Sequence, residues 1–221
     1  MDGMIVTIDG PAGAGKSSVA KALAGRLGFF HLDTGAMYRA VALAGLRQGV
    51  DWDRPEQLAE MAAVIDLRVR GERIMLQGED VTAAVRTQEV TAATRHAAGN
   101  PQVRARLVLL QREAAEGRDV VTEGRDQGTV VFPAAACKIF LTASPAERAR
   151  RRLLDLQQQG ESATLQQILA QQQRRDEEDA ARAVGPLRRA TDAVEVLTDG
   201  LTQDEVVDRL EALVREASRE R

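Results

Sequence analysis

The sequence predicts an α/β doubly wound domain, in which helices cover both faces of a five-stranded parallel β-sheet. Short apolar runs of strand length recur along the chain, at 4–9, 29–33, 119–123, 137–143 and 193–199. Stretches with helical periodicity alternate with them, at 16–27, 34–48, 101–116, 145–159, 165–183 and 203–218. Because the strands are apolar on both faces, helices must pack on both sides of the sheet. This alternation is typical of open parallel sheets.

Two segments depart from the alternation. Residues 65–80 have the pattern of two alternating strands joined near Gly71, and a helical stretch precedes them at 58–65, so we expect a small α+β insertion at about 58–90. Residues 153–186 are glutamine-rich and charged, with Gly160 between two helical stretches. A helical hairpin with so little apolar area anchors weakly, which suits a lid that opens and closes. The rest of the single domain, at about 1–57, 91–152 and 187–221, forms the core.

Composition limits the kinds of partner. The net charge is −3 over 221 residues, which favours neither nucleic acid nor an anionic membrane as a partner. Cys137 is the only cysteine, which excludes an intrachain disulfide and fits a reducing compartment. No stretch approaches the roughly 20 apolar residues that span a bilayer. We therefore expect a cytoplasmic protein with small-molecule partners, and neither a nucleic-acid nor a membrane role.

A glycine-rich loop lies between the first predicted strand and the first predicted helix. Residues 10–17, within IDGPAGAGKSS, match the pattern G-x-x-x-x-G-K-[ST]. Its glycines let successive N–H groups point at phosphate oxygens, and the helix that follows adds its dipole. Lys16 can reach the outer phosphates and the Ser17 hydroxyl can ligate Mg²⁺. The candidate nucleotide-binding residues are Gly10, Pro11, Ala12, Gly13, Ala14, Gly15, Lys16, Ser17 and Ser18.

The loop alone leaves GTPases, ATPases, kinases and regulatory ATP sensors open. Guanine-binding proteins usually carry an Asn-Lys-x-Asp element, yet this chain has no lysine between Lys21 and Lys138. A motor ATPase would usually show a longer apolar strand that ends in Asp or Asp-Glu, and DVVTEGRD is a poor substitute. Residues beyond the loop must therefore identify the chemistry.

Several arginines lie just beyond predicted strand ends or in the predicted lid: Arg39, Arg104, Arg125, Arg175 and Arg182. In an open α/β sheet, ligands bind beyond the carboxyl ends of the strands, where the loop also lies. Planar guanidiniums grip phosphate oxygens two at a time. The arginines therefore predict a second anion that faces the nucleotide in the loop.

Together these segments resemble the bacterial cytidylate kinases of the nucleoside monophosphate kinase group. The similarity covers essentially the whole chain and rests on DGPAGAGKSS, LDTGAMYR, GEDVTAAVRTQEV, EGRDQGTVVFP and RRDEEDAARAVGPL. It implies a P-loop NTPase fold with a monophosphate-binding insertion and a lid. It also implies transfer of the terminal phosphate of ATP to CMP or dCMP with Mg²⁺, by a monomer.

The resemblance also implies roles for individual residues. The loop at 10–18 would hold ATP, and catalysis would depend on Lys16, Arg125, Arg175 and Arg182. CMP would contact Thr34, Tyr38, Arg39, Arg104, Arg125, Asp126, Asp179 and Arg182. Of these, the family pattern gives Arg39, Arg125 and Arg182 to the acceptor phosphate, Arg104 and Asp179 to the cytosine edge, and Asp126 to the pentose. Asp179 would act there either by arranging a lid arginine or by accepting a hydrogen bond from the exocyclic amine. Arg175 would reach the transferring phosphoryl group, and Tyr38 would pack beside the acceptor.

Two departures from the family pattern stand out. Where a base-contacting serine is common, an ungapped match gives Arg95 and a one-residue shift gives Thr94. Glu123 stands where the pattern often has aspartate, and its longer carboxylate could still organise Arg125 or Mg²⁺.

Two alternatives stay open at this point. One is another small-molecule kinase of the same fold, acting on UMP, AMP or shikimate. The other is a regulatory module that binds ATP without transferring phosphate, which would leave the acceptor-side arginines without a purpose.

Overall fold

The computed structural model describes residues 3–158, 160 and 162–219. Its strands are β1 Ile5–Asp9, β2 Phe30–Asp33, β3 Leu67–Arg70, β4 Arg73–Leu76, β5 Glu79–Asp80, β6 Val120–Gly124, β7 Cys137–Thr142 and β8 Val194–Leu197. Its α-helices are α1 Lys16–Leu27, α2 Thr34–Gln48, α3 Pro55–Ala63, α4 Gln88–Gly99, α5 Pro101–Ala115, α6 Pro145–Gln158, α7 Leu165–Ala180 and α8 Gln203–Arg219. None of the helices in these described ranges is long and apolar enough to cross a membrane.

The predicted five-stranded sheet is confirmed, with strand order β2-β6-β1-β7-β8. Parallel pairing sets Ile8 of β1 opposite Ile139 of β7, and Leu141 of β7 opposite Val196 of β8. The inner strands β1, β6 and β7 are largely buried on both faces, as their continuous apolar sequences predict, whereas the edge strand β8 exposes Val194 and Leu197. The glycine-rich loop therefore leaves the carboxyl end of a central strand, where ligands bind in sheets of this type.

The chain forms two compact units, which we describe separately. The first, the loop unit, comprises 4–29 and 121–219, and the second, the middle unit, comprises Gly3 and 30–120. Apolar side chains of β1, β7, α1 and α8 make one core in the loop unit, with Leu23, Ile139 and Leu210 almost completely buried. Cys137 lies in this core, and burial raises the pKa of its thiol to about 11.

The middle unit contains the predicted hairpin. β3 and β4 pair antiparallel across a turn at Gly71, whose φ of 60° favours glycine, and β5 adds a short third strand. The helix expected at 58–65 is α3, which begins earlier because Pro55 fits the first helical turn. Helix α4 was not among the predicted elements. The side chains that it buries are few and small, namely Val90, Ala97 and Ala98, and Thr87 caps its start.

In the loop unit, the glutamine-rich segment forms α6 and α7. Thr164 and Gln167 make a capping box that fixes where α7 begins. The helix ends at Ala180, three residues before the predicted end at 183. The end predicted for α6, at 159, lies outside the described residues. A single turn of π-helix at Gln127–Val131, which the sequence patterns did not predict, follows β6.

Candidate active site

The glycine-rich loop has the strand–loop–helix setting that its sequence predicts. A Cβ on Gly10 would lie 1.9 Å from the Leu141 carbonyl oxygen, so no side chain fits there. Gly13 and Gly15 have φ of 79° and 87°, in the left-handed region, and Gly15 caps α1. The loop therefore turns its backbone toward a ligand at the positive end of α1.

Lys16 is buried within this loop. Its Nζ donates a hydrogen bond to the Pro11 carbonyl oxygen over 2.7 Å, and the residue is only 5% exposed. Burial lowers its pKa to about 7, and the positive charge of Arg125 adds to this effect, whereas Glu123 and Asp9 oppose it. Because burial and repulsion disfavour the charged form of Lys16, the negative phosphates of a bound nucleotide would stabilise that charged form.

Ser17 and Glu123 bring a hydroxyl and a carboxylate together beside Lys16. The Ser17 Oγ donates to Glu123 Oε1 over 2.7 Å, and Glu123 is 5% exposed at the end of β6. Oxygen ligands of this kind are those that Mg²⁺ prefers. The residues present therefore fit the magnesium ion that accompanies nucleotide phosphates.

Asp9 ties the start of the loop to the turn after β6. One carboxylate oxygen accepts from Gln127 N and the other from Gly128 N, each over 2.8 Å. Burial raises the pKa of Asp9 to about 6, and the nearby charge of Asp126 raises it further, although both hydrogen bonds and Lys16 oppose the shift. Asp126, which begins this turn, is buried as well. The turn that follows Arg125 is thus fixed to the strand that carries the loop.

Asp179 of α7 brings two predicted arginines together. Its Oδ2 accepts from Arg125 Nε over 2.6 Å, and its Oδ1 accepts from Arg182. The Asp179 side chain is 3% exposed, against 18% and 19% for its two partners. Ion pairs this poorly hydrated hold both guanidiniums in defined orientations.

Arg175 lies one turn before Asp179 on α7. The residue as a whole is exposed, yet burial around its charged end lowers the guanidinium pKa, followed by repulsion from Arg125. A long arginine can expose its stem while its head lies among other groups. The positive charge of the Arg175 guanidinium also lowers the pKa of Lys16, so these two predicted catalytic residues are close enough for electrostatic repulsion.

A second contact between α7 and the loop was not predicted. Arg148 of α6 is buried and donates to the Ala12 and Ala143 carbonyl oxygens, over 3.0 and 3.2 Å. The same guanidinium pairs with Asp176 over 2.7 Å. Arg148 therefore joins the loop to the helix that carries Arg175 and Asp179.

Four of the other predicted acceptor residues lie in the middle unit. Asp33 caps α2 through Ala36 N, and its Oδ2 pairs with Arg39 over 3.4 Å and with Arg86 over 3.5 Å. Thr34, the first residue of α2, is buried. Arg86 was not predicted, although it lies in the quoted segment GEDVTAAVRTQEV. Here too a carboxylate holds two guanidiniums.

Arg104 and Tyr38 also lie together in the middle unit. The Arg104 guanidinium lies 5.5 Å from the centre of the Tyr38 ring and donates to the Ala98 carbonyl oxygen over 3.3 Å. Burial of this cation between an aromatic face and a helix end fixes its direction. On α4, the Thr94 hydroxyl donates to the Val90 carbonyl oxygen over 2.7 Å, whereas Arg95 is exposed.

An open cavity of about 330 Å³ adjoins the loop. Its walls come from the loop and the start of α1, from α6, and from the segment after β8: Gly13, Ala14, Gly15, Ser18, Val19, Arg151, Arg152, Asp155, Thr198, Leu201, Thr202, Gln203 and Val206. Arg151 spans this wall, since its guanidinium donates to the Thr198 hydroxyl over 3.0 Å and to the Thr198 carbonyl oxygen over 2.8 Å. The cavity gives a nucleoside attached to loop-bound phosphates a place to lie.

Comparisons with known proteins identify the family of this chain. A family model described as "Cytidylate kinase" matches residues 6–216. The chain is 54% identical over 213 residues to a cytidylate kinase of Rhodopirellula baltica, covering 96% of this chain and 93% of that one. It is 48% identical to a cytidylate kinase of Geobacter sulfurreducens, covering 98% and 95%. It is 51% identical to a bifunctional pantoate ligase/cytidylate kinase of Synechococcus elongatus, covering 96% of this chain and 42% of that protein. The chain belongs to the cytidylate kinase family.

Proposed function

We propose that this protein transfers the terminal phosphate of ATP to CMP, giving ADP and CDP. The observation that carries the proposal is the cluster of Lys16, Arg125 and Arg175 beside the glycine-rich loop. A single nucleotide in the loop does not explain why Arg125 and Arg175 bring positive charge so close to the buried Lys16, whereas a second phosphate does. Family membership supports the same reaction.

The chemistry needs no strong base. An oxygen of the acceptor phosphate, already ionised near neutral pH, attacks the terminal phosphorus of ATP, and the bond to the bridging oxygen of ADP breaks. The protein's task is to hold two mutually repelling anions in line and to stabilise the charge that spreads between them. Lys16, Arg125, Arg175 and Arg182 are the residues to which we assign that work.

Ser17 would hold Mg²⁺, with Glu123 beside it as a partner for the hydroxyl or for water on the ion. The ion would supply positive charge to the donor phosphates. The cavity next to the loop is our candidate for the donor nucleoside, because its wall includes Gly13, Gly15 and the start of α1.

We assign the acceptor to Thr34, Tyr38, Arg39, Arg104, Arg125, Asp126, Asp179 and Arg182. The two carboxylates that hold arginine pairs support this assignment, since each orients guanidiniums that an incoming phosphate could engage. At the base end, the Thr94 hydroxyl already donates within its own helix, which favours Arg95 as the side chain with hydrogens to offer. Activity on dCMP belongs to the same proposal.

We also retain a monophosphate-binding insertion at about 58–90 and a lid at about 153–186. Closing such a lid over the arginines of α7 would exclude water and so limit wasteful hydrolysis of ATP. Cytoplasmic location and a monomeric state complete the proposal.

The test is an ADP-release assay with purified protein across CMP, dCMP, UMP and AMP. We expect ADP release that depends on CMP or dCMP. Transfer to UMP, AMP or shikimate without transfer to CMP would favour another kinase of this fold, and ATP binding without any acceptor-dependent release would favour a sensor. Arg182→Ala should raise the KM for CMP, whereas Lys16→Ala should stop transfer to every acceptor.

A further inference from the structure

Arg148 of α6 is a buried cation to which the proposed mechanism gives no role. The residue is 5% exposed. Its Nε donates to the Ala143 carbonyl oxygen over 3.2 Å, and its Nη1 donates to the Ala12 carbonyl oxygen over 3.0 Å. The same Nη1 lies 2.7 Å from Asp176 Oδ2. Because a buried ion pair often contributes little net stability, a role in the site explains this buried guanidinium better than stability does.

The hydrogen bond to Ala12 orients a peptide of the glycine-rich loop. This peptide is trans, so its N–H, which belongs to Gly13, points away from the carbonyl that Arg148 holds. Within the described residues, the Gly13 N–H has no hydrogen-bond partner. A guanidinium on the carbonyl also polarises the peptide and so strengthens the N–H as a donor. Arg148 therefore leaves the Gly13 N–H directed and available for a phosphate in the loop.

The ion pair with Asp176 connects Arg148 to α7. Asp176 directly follows Arg175, and it lies three residues before Asp179 on the same side of the helix. Asp179 in turn holds Arg125. The Arg148 and Asp176 side chains are only 6% and 22% exposed, so salt and water screen their attraction weakly. This ion pair therefore keeps the acceptor-side groups of α7 at a defined distance from the loop.

We propose that Arg148 is a positioning residue that couples the two substrate sites. Its hydrogen bond to Ala12 sets the Gly13 N–H for the donor phosphates, and its ion pair with Asp176 sets α7 for the acceptor. The element that responds is α7, which is either docked on the loop through this ion pair or released from it. Each substrate should therefore bind more tightly when the other is present, by the same factor. This inference rests on the proposed function for its two substrates, ATP and CMP.

The test measures the binding of adenylyl imidodiphosphate, a non-hydrolysable ATP analogue, with Mg²⁺ present and with or without saturating CMP. Isothermal titration calorimetry gives both dissociation constants. For the native protein we expect CMP to tighten binding of the analogue at least fivefold. Asp176→Ala breaks the connection to α7 and leaves the contacts with the loop in place. In this variant the analogue alone should bind within twofold of the native affinity, while the gain from CMP falls below twofold.

The matched control for Asp176→Ala is Glu177→Ala. Glu177 is the next residue of α7, is exposed, and accepts a hydrogen bond from Gln173 over 3.0 Å. This variant should keep the full gain from CMP.

Arg148→Lys tests the contact with the loop. Lysine keeps the charge but replaces a planar fork with one nitrogen on a flexible stem, which does not hold the carbonyl and the carboxylate in fixed directions. We expect the analogue alone to bind about tenfold more weakly and the gain from CMP to disappear. Arg150→Lys is the control, because Arg150 is exposed on the same helix and donates to Glu147. Should Arg148→Lys fail to fold, Asp176→Ala decides.

A purely structural role predicts another pattern. Loss of packing would lower the thermal midpoint and weaken both substrates, yet it would leave the gain from CMP intact, because that ratio compares each variant with itself. The inference is overturned if CMP does not tighten binding of the analogue to the native protein, or if Asp176→Ala keeps the full gain. CMP-dependent release of ADP without coupled binding would defeat this inference alone, and coupled binding without release would defeat the proposed function alone.

Discussion

Arg125 donates its Nε hydrogen to the carboxylate of Asp179 over 2.6 Å, across 54 residues of sequence, and the second oxygen of that carboxylate accepts from Arg182. One aspartate of α7 therefore sets the direction of an arginine beyond the end of β6 and of an arginine just after its own helix. The resemblance leaves Asp179 either to arrange a lid arginine or to accept a hydrogen bond from the cytosine amine, and its ion pairs with Arg125 and Arg182 match the first of these roles.

Asp179→Asn should weaken acceptor binding, because it removes the negative charge that holds both arginines. We expect the KM for CMP to rise at least tenfold while the KM for ATP changes less than threefold. The free energy of unfolding should fall by about 2–3 kcal/mol, since two poorly hydrated cations lose their partner. Steady-state kinetics and urea unfolding measure the two effects. The exposed neighbour Glu178 provides the control, as Glu178→Gln, and an equal effect of the two substitutions would contradict this role.

Asp9 should give the stability of the protein a recognisable pH dependence. Its pKa in the folded state, about 6, lies above the ordinary value of 3.8, so between these two values the folded protein binds more protons than the unfolded chain. The contribution of Asp9 to stability therefore grows as the pH falls through 6, and it is lost as the pH rises. Relative to Asp9→Asn, the native protein should gain about 1 kcal/mol between pH 7 and pH 5. Urea unfolding at both pH values measures this difference, and a constant difference would be inconsistent with a raised pKa.

Trp52, the only tryptophan, reports on the middle unit. Its ring stacks on His96 with centroids 4.7 Å apart. Burial lowers the pKa of His96, and the charge of Arg95 adds to this effect. Because a protonated imidazole quenches the fluorescence of a stacked indole, the Trp52 fluorescence should decrease as the pH is lowered, with a midpoint below pH 6.5. His96→Gln should abolish the transition, and Arg95→Gln should move its midpoint upward. A midpoint that ignores Arg95 would count against the electrostatic explanation.

Ser17 and Glu123 should behave as one functional pair toward Mg²⁺. Glu123→Gln keeps a hydrogen-bond acceptor for Ser17 but loses the charge, so the Mg²⁺ concentration for half-maximal rate should rise about fivefold. Ser17→Ala should act in the same direction, and the double variant should be no worse than the more impaired single one, because coupled residues are not additive. Magnesium titrations of the initial rate provide the measurement. Fully additive effects would show that the two residues act independently.

The order of strands and helices follows from local patterns, because apolar runs of strand length and helical periodicity are both visible in the sequence. Helix α4 is not predicted because the apolar side chains that it buries are few and small, so tertiary packing stabilises it more than its local sequence does. The π-helical turn at Gln127–Val131 depends on hydrogen bonds to Asp9, which lies more than a hundred residues earlier in the chain.

The candidate site is likewise predicted only in part, because local sequence patterns reveal some of its residues and tertiary packing determines the others. A fixed spacing reveals the loop, and family similarity reveals most of the arginines. Arg148 was not predicted because an arginine in a polar helical segment resembles a solvent-facing residue, and only the packing of α6 shows that it is buried against the loop.

Burial of Cys137 has a practical consequence. With a thiol pKa of about 11, at the start of β7 in the core of the loop unit, the sulfur is neither exposed nor ionised at neutral pH. An uncharged alkylating reagent must wait for the central strands to separate. The rate of Cys137 alkylation therefore measures how often the core opens. A slower rate with bound nucleotide would measure how much ligands stabilise the sheet against opening, without any engineered label.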